Sequence, residues 1–195
     1  MRIIKSEIIT ETIKELCIKG ACHLPTDVYN RLLEAISTED SPVSKHTLEI
    51  LKENADIAAN NQEPICQDTG MACIFVEIGQ EVYVEGNLTE AINEGVRQGY
   101  TEGYLRKSVV DDPVFDRINT KDNTPAIIHY DIVPGDKLKI TVAPKGFGSE
   151  NMCQVKMLKP SDGIEGVKDF ILKVVEDAGP NPCPPIVIGV GIGGT

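Results

Sequence analysis

The chain has 195 residues, 41% of them apolar and 25% charged, and a formal net charge of −11, which sizes it for one domain with a real core or for a large piece of a bigger assembly. The acidic balance argues against nucleic acid, whose phosphates need a basic surface, and against an anionic membrane. A small anionic substrate stays open, because a local pocket can be positive on an acidic protein.

In chain order, "MRIIKSEIITETIKEL" scatters charge among apolar residues, as a helix does and a leader does not. No stretch approaches the ~20 apolar residues of a bilayer span. The expected compartment is therefore the cytoplasm, with the six cysteines (17, 22, 66, 73, 153 and 183) as reduced thiols. Ile4, Ile8, Ile9, Ile13 and Leu16 recur at helical spacing, with Gly20 as the stop. Thr26 or Asp27 after Pro25 can cap a second helix carrying Val28, Leu32, Leu33 and Ile36. Ser41-Pro42 opens a third, with Leu48, Leu51 and Ile57 inward.

At Pro64 the pattern changes. "PICQDTG" precedes Ala72 to Ile78, a β-branched run that reads as a buried strand, and Val82 to Val84 can pair with it across Gly79-Gln80. Leu88 to Arg106 reads as helix. Ala126 to Val133 and Lys137 to Ala143 read as strands joined by a polar turn, hence a hairpin. The loop "PKGFGSENMC" follows, then an amphipathic helix over Ile164 to Glu176, the rigid "AGPNPCPP" turn, a short apolar strand over Ile186 to Val190, and Gly191 to Thr195. The expected fold is α/β: a helical N-terminal layer over residues 1–62, packed on a mixed sheet with helices over 63–195, in one domain.

Three loops collect the unusual residues: "PICQDTG", "KGFGSEN" and "PNPCPPIVIGVGIGGT". Cys66 stands among Gln67, Asp68 and Thr69, poor company for an inert buried thiol, although turn chemistry alone explains Asp-Thr-Gly. Cys183 is held among prolines, which suits either a packed turn or the rigid presentation of a thiolate. Cys17, Cys22 and His23 suggest a metal by their spacing, but Cys17 lies close to the apolar stripe and Cys22 in an interhelix turn; Cys73 reads as core, and so does Cys153. Arg106 and Lys107 either neutralise a helix C-terminus or form a fork for a carboxylate. "KGFGS" and "GVGIGGT" can cradle an anion with backbone N–H groups, but neither is a P-loop, and "GVGIGG" has no helix after it, which rejects a dinucleotide-binding reading.

With "CQDTG", "KGFGSEN" and "CPPIVIGVGIGGT" in this order, the sequence resembles the class I, iron–sulfur fumarases and their relative L-tartrate dehydratase. Over nearly its whole length it looks like the alpha subunit of the two-subunit form, the N-terminal part of the single-chain enzymes. The resemblance implies a [4Fe–4S] cluster held by three cysteines with one iron open to substrate. Cys66 and Cys183 match two ligand positions; the third is expected beyond Thr195, and the match does not place Cys153 there. It also implies that Gln67 and Asp68 face the substrate, with Asp68 catalytic, that Arg106 grips a carboxylate and that the Gly148 backbone approaches the ligand.

The implied activity is reversible hydration of fumarate to L-malate, with L-tartrate dehydration as the alternative. The implied partner is a beta subunit carrying the remaining catalytic groups, in a larger oligomer, and the chain is expected as a shortened alpha subunit. Outside the enzyme class, the sequence fits a partner-binding or zinc-binding fold without catalysis.

Overall fold

A computed structural model describes residues 1–183 and 185–193. The chain forms two compact units, residues 1–144 and 145–195. The architecture is α/β, with helices packed on open sheets.

The first unit is organised by a repeated strand-to-helix step. Strand β1 (Arg2–Lys5) leads directly into helix α1 (Ser6–Cys22). Helices α2 (Thr26–Thr38) and α3 (Pro42–Asn61) follow, then strand β2 (Met71–Gly79). Strand β3 (Val82–Glu85) leads into helix α4 (Leu88–Glu102). β1 and β3 pair in parallel, Arg2 opposite Val82 through Lys5 opposite Glu85, so α1 and α4 leave the same end of the ribbon side by side. A Cβ added at Gly95 would come 2.6 Å from the Thr10 carbonyl, and one at Gly99 would come 2.8 Å from the Cys17 Cβ. Glycine at these positions lets the two helix backbones approach closely. The core then fills from Ile9, Ile13 and Cys17 of α1, Ile92, Val96 and Tyr100 of α4, and Ala72, Ile74 and Val76 of β2.

The second sheet places β2 between strands β4 (Ile127–Val133) and β5 (Leu138–Lys145). β2 and β4 are parallel, with Cys73 opposite Ile127. The expected β4–β5 hairpin is therefore not formed. The Pro134–Lys137 turn instead crosses the end of β2: Gly79 donates to the Lys137 carbonyl at 2.8 Å and Gln80 to the Val133 carbonyl at 2.9 Å. A Cβ at Gly79 would lie 2.3 Å from the Gly135 carbonyl oxygen, so the crossing needs glycine there.

Other local expectations are corrected. Residues 2–5 are strand, because Ile3 and Ile4 sit opposite Tyr83 and Val84, and Ile8 faces out while Ile9, Ile13 and Cys17 make the buried stripe. α1 runs through Gly20 to Cys22. Pro25 occupies the cap position of α2 without a side-chain cap, and Leu33 and Ile57 are exposed, because Leu32, Ala55 and Ala58 take the inward positions. Ser41 does cap α3, accepting from the Ser44 N–H at 3.5 Å. β3 pairs with β1 rather than β2.

The second unit carries the one-turn helix α5 (Phe147–Glu150), a 3-10 turn at Pro160–Asp162 and helix α6 (Gly163–Ala178). Residues 186–190 form no strand: Val187, Ile188 and Val190 are exposed and lack the ladder that would define one. No described helix is long and apolar enough to cross a membrane.

Candidate functional site

The loop between α3 and β2 starts at the surface and dives into the core. Ile65 fixes its start, donating to the Ala21 carbonyl at 2.9 Å and accepting from Asn54 Nδ2 at 2.9 Å. Cys66 and Gln67 are exposed, Asp68 is half-buried, and Thr69 and Gly70 are buried. The Asp68 N–H points at Cys66 Sγ at 3.4 Å, and Asp68 Oδ1 accepts the Gly70 N–H at 3.1 Å. This is the turn role expected of an aspartate before glycine. Gly70 has φ +66°, a left-handed conformation that suits glycine and closes the turn.

Arg106 reaches this loop from α4. The helix ends at Glu102 rather than continuing to Arg106 as expected. Gly103 follows, Tyr104 takes φ +53°, and buried Leu105 turns the chain back to the core. Arg106 then emerges exposed, with its backbone held by Thr69. Thr69 Oγ1 accepts the Arg106 N–H at 2.9 Å and donates to the Arg106 carbonyl at 3.2 Å. The Arg106 guanidinium makes no ion pair among the described residues, so it does not simply neutralise a neighbouring acid.

Thr69 is 6% exposed and does more than the turn chemistry its place in the sequence suggests. Behind it, the Tyr100 hydroxyl donates to the carbonyls of Thr69 (3.1 Å) and Gly70 (3.3 Å). Burial pushes the Tyr100 pKa up, which keeps the hydroxyl protonated as a donor.

In the second unit, "KGFGSEN" folds as α5. Ser149 Oγ donates to the Gly146 carbonyl at 3.0 Å, and Lys145 Nζ lies 2.9 Å from Ser149 Oγ and 3.0 Å from a Glu150 carboxylate oxygen. A Cβ at Gly148 would come 2.8 Å from the Asn181 carbonyl, so the turn carrying Cys183 packs on Gly148. Asn181 Nδ2 also reaches Met152 Sδ at 3.5 Å. Cys183 is exposed, has φ +59° and donates its N–H to the Pro180 carbonyl at 3.1 Å. Left-handed backbone at a non-glycine residue is uncommon and marks a constrained position. Cys153 is exposed, with Sγ 3.6 Å from the Ser149 carbonyl, against the core expectation. Pro184, Gly194 and Thr195 lie outside the described residues, and with them the end of the "GVGIGGT" cradle.

The structure thus joins Cys66, Gln67, Asp68 and Arg106 in the first unit, and Gly148 with the Cys183 turn in the second. A thiolate ligand must be reachable by its metal. Cys66 and Cys183 meet that condition, and the Asp68 N–H is placed to stabilise charge on the Cys66 sulfur. No group of three or more Cys, His, Asp or Glu side chains able to hold a metal is present among the described residues. The donors therefore fit part of an iron–sulfur ligand set and not a whole one. Cys17 and Cys22 are buried in the core, Cys17 with its pKa pushed up to about 12 by burial, so the Cys17-Cys22-His23 spacing reflects packing.

A family model described as Fumarate hydratase (Fumerase) matches residues 10–195. A Methanocaldococcus jannaschii protein named "Putative L(+)-tartrate dehydratase subunit alpha" is 44% identical over 192 residues, covering 96% of this chain and 67% of that protein. The L(+)-tartrate dehydratase subunit alpha of Escherichia coli (strain K12) is 30% identical over 188 residues, 94% of this chain and 61% of that protein. The chain spans about three-fifths to two-thirds of the length of these curated relatives.

Proposed function

The chain belongs to the fumarate hydratase (Fumerase) family, and from that premise we propose that it is one part of a hydro-lyase that adds and removes water on a four-carbon dicarboxylate, with fumarate and L-malate as the pair. The observation that carries this reading is the reciprocal bond between Thr69 and the Arg106 backbone, which holds beside the Cys66-Gln67-Asp68 loop a residue whose guanidinium has no ion-pair partner among the described residues.

The chemistry suits such a substrate. Arg106 offers a planar fork to one carboxylate. Removing the proton next to that carboxylate builds negative charge on it, and the Arg106 guanidinium, carried on a fixed backbone, stabilises that charge. Gln67 hydrogen-bonds a substrate oxygen. Asp68 orients the departing hydroxyl or the incoming water, or moves a proton at a carboxylate oxygen. The Gly148 backbone approaches the ligand. Cys66 and Cys183 would each supply a thiolate to a [4Fe–4S] cluster. When bound, the cluster supplies a Lewis acid for the hydroxyl oxygen. The groups still required for proton removal belong to a second, beta-type subunit.

A second reading, L-tartrate dehydration, is favoured by the names of the relatives. Tartrate differs from malate by one hydroxyl, so the residues named here serve either. The test is anaerobic reconstitution of the chain and its partner subunit with iron and sulfide, followed by a panel of fumarate, L-malate and L(+)-tartrate. Turnover of at least one, lost in Cys66→Ser, is expected. An iron-loaded complex inactive on all three would overturn the reading and leave a non-catalytic fold.

A further inference from the structure

One buried amide stands behind the loop and takes no part in the chemistry above. Asn123 is 0% exposed and has φ +62°, a conformation asparagine tolerates better than most residues. Its Oδ1 accepts the N–H groups of Ser108 (2.8 Å) and Val109 (3.2 Å), and its Nδ2 donates to the Gly70 carbonyl at 3.1 Å. One side chain therefore ties the end of the cysteine loop to the segment that leaves Arg106. Its neighbour Asp122 fixes its aim: one carboxylate oxygen accepts the Thr124 N–H (3.0 Å) and hydroxyl (2.8 Å), and the other accepts Arg97 Nε at 3.0 Å.

Thr69 bridges the same two segments on the other side of Gly70. Loop and arginine are thus joined at two places, by side chains distant in sequence. Burying an amide has a cost that an apolar residue would not incur, and what satisfied polar groups supply in return is fixed geometry.

We propose that Asn123 is a positioning residue that, with Thr69, sets the spacing between the Arg106 grip and Asp68. This rests on the hydro-lyase reading and deepens it. Asn123→Asp keeps acceptors for Ser108 and Val109 but loses the donor to Gly70. Asn123→Gly keeps the left-handed backbone and loses all three bonds. In the reconstituted complex, both variants should lower kcat/KM for the dicarboxylate that wild type turns over by on the order of tenfold or more. The loss should lie mainly in KM, with iron content unchanged. Adding Thr69→Val to Asn123→Gly should cost less than the product of the single effects, because both act on one spacing.

Unchanged kcat/KM, or a loss that only tracks lost iron, overturns the proposal. A wild-type complex inactive on every dicarboxylate is instead a failure of the hydro-lyase reading. Amide exchange on the chain then decides the lock. Asn123→Gly should speed exchange at Arg106, Ser108 and Val109 and leave α4 protected; unchanged exchange there overturns it.

Discussion

Asp68 has one duty in the turn and a second, catalytic one that is proposed for the same carboxylate. Its Oδ1 closes the Gly70 turn, and its charge lies beside the proposed substrate. Asn at position 68 keeps the turn acceptor and removes the charge, so Asp68→Asn separates the duties. In the assembled complex it should lower kcat by roughly 10²- to 10⁴-fold with iron content nearly unchanged. Steady-state kinetics and iron analysis on one preparation check this, and unchanged kinetics would leave Asp68 only its turn role.

At this scale the cysteine loop was legible, because a thiol among an amide, a carboxylate and a hydroxyl breaks the ordinary pattern of buried sulfur. The Thr69 and Asn123 bridges were not legible. They join positions 37 and 53 residues apart, and neither threonine nor asparagine announces a distant partner.

The α1–α4 contact depends on glycine. Alanine at Gly99 gains about 1 kcal/mol in helix propensity. The added Cβ would meet the Cys17 Cβ at 2.8 Å and the Lys14 carbonyl at 3.1 Å, and neither is the far end of a flexible side chain. Overpacking should win, so Gly99→Ala should destabilise the chain by about 1–3 kcal/mol in denaturant unfolding.

Asp122 supplies a pH signature for the turn that aims Asn123. Burial pushes its carboxyl pKa up, but the Thr124 hydroxyl and amide and Arg97 outweigh that, and the net pKa falls below the usual carboxylate value. A folded pKa below the unfolded one gives stability that is present above about pH 4 and lost as pH falls through the folded value. Asp122→Ala should therefore lower Tm at pH 7, and the gap from wild type should close in more acidic buffer. A gap independent of pH would contradict this.

Most elements were legible from periodicity, but their pairing was not. The β-branched runs at 72–78, 82–84 and 127–133 are strands, yet β3 joins β1 and β2 separates β4 from β5. A period of two finds a strand and says nothing of its neighbour. The short turn after Val133 suggested a hairpin, whereas Gly79 lets that turn pass over the end of β2.

For the whole molecule, composition and motif order agree with the family match, and the chain covers 61% to 67% of its curated relatives. Cys66, Asp68 and Arg106 lie in one compact unit, and Gly148 and Cys183 lie in the other. On a molecule of net charge −11, the proposed dicarboxylate would need a dedicated cation, and Arg106 has its backbone held against the cysteine loop.

The central claim is therefore tested most directly by the kinetics of Arg106→Gln in the reconstituted complex. The account predicts a KM for the dicarboxylate raised by roughly tenfold or more, with cluster iron unchanged, as expected when a charged carboxylate contact is lost. A KM equal to that of wild type, at equal iron content, would contradict it.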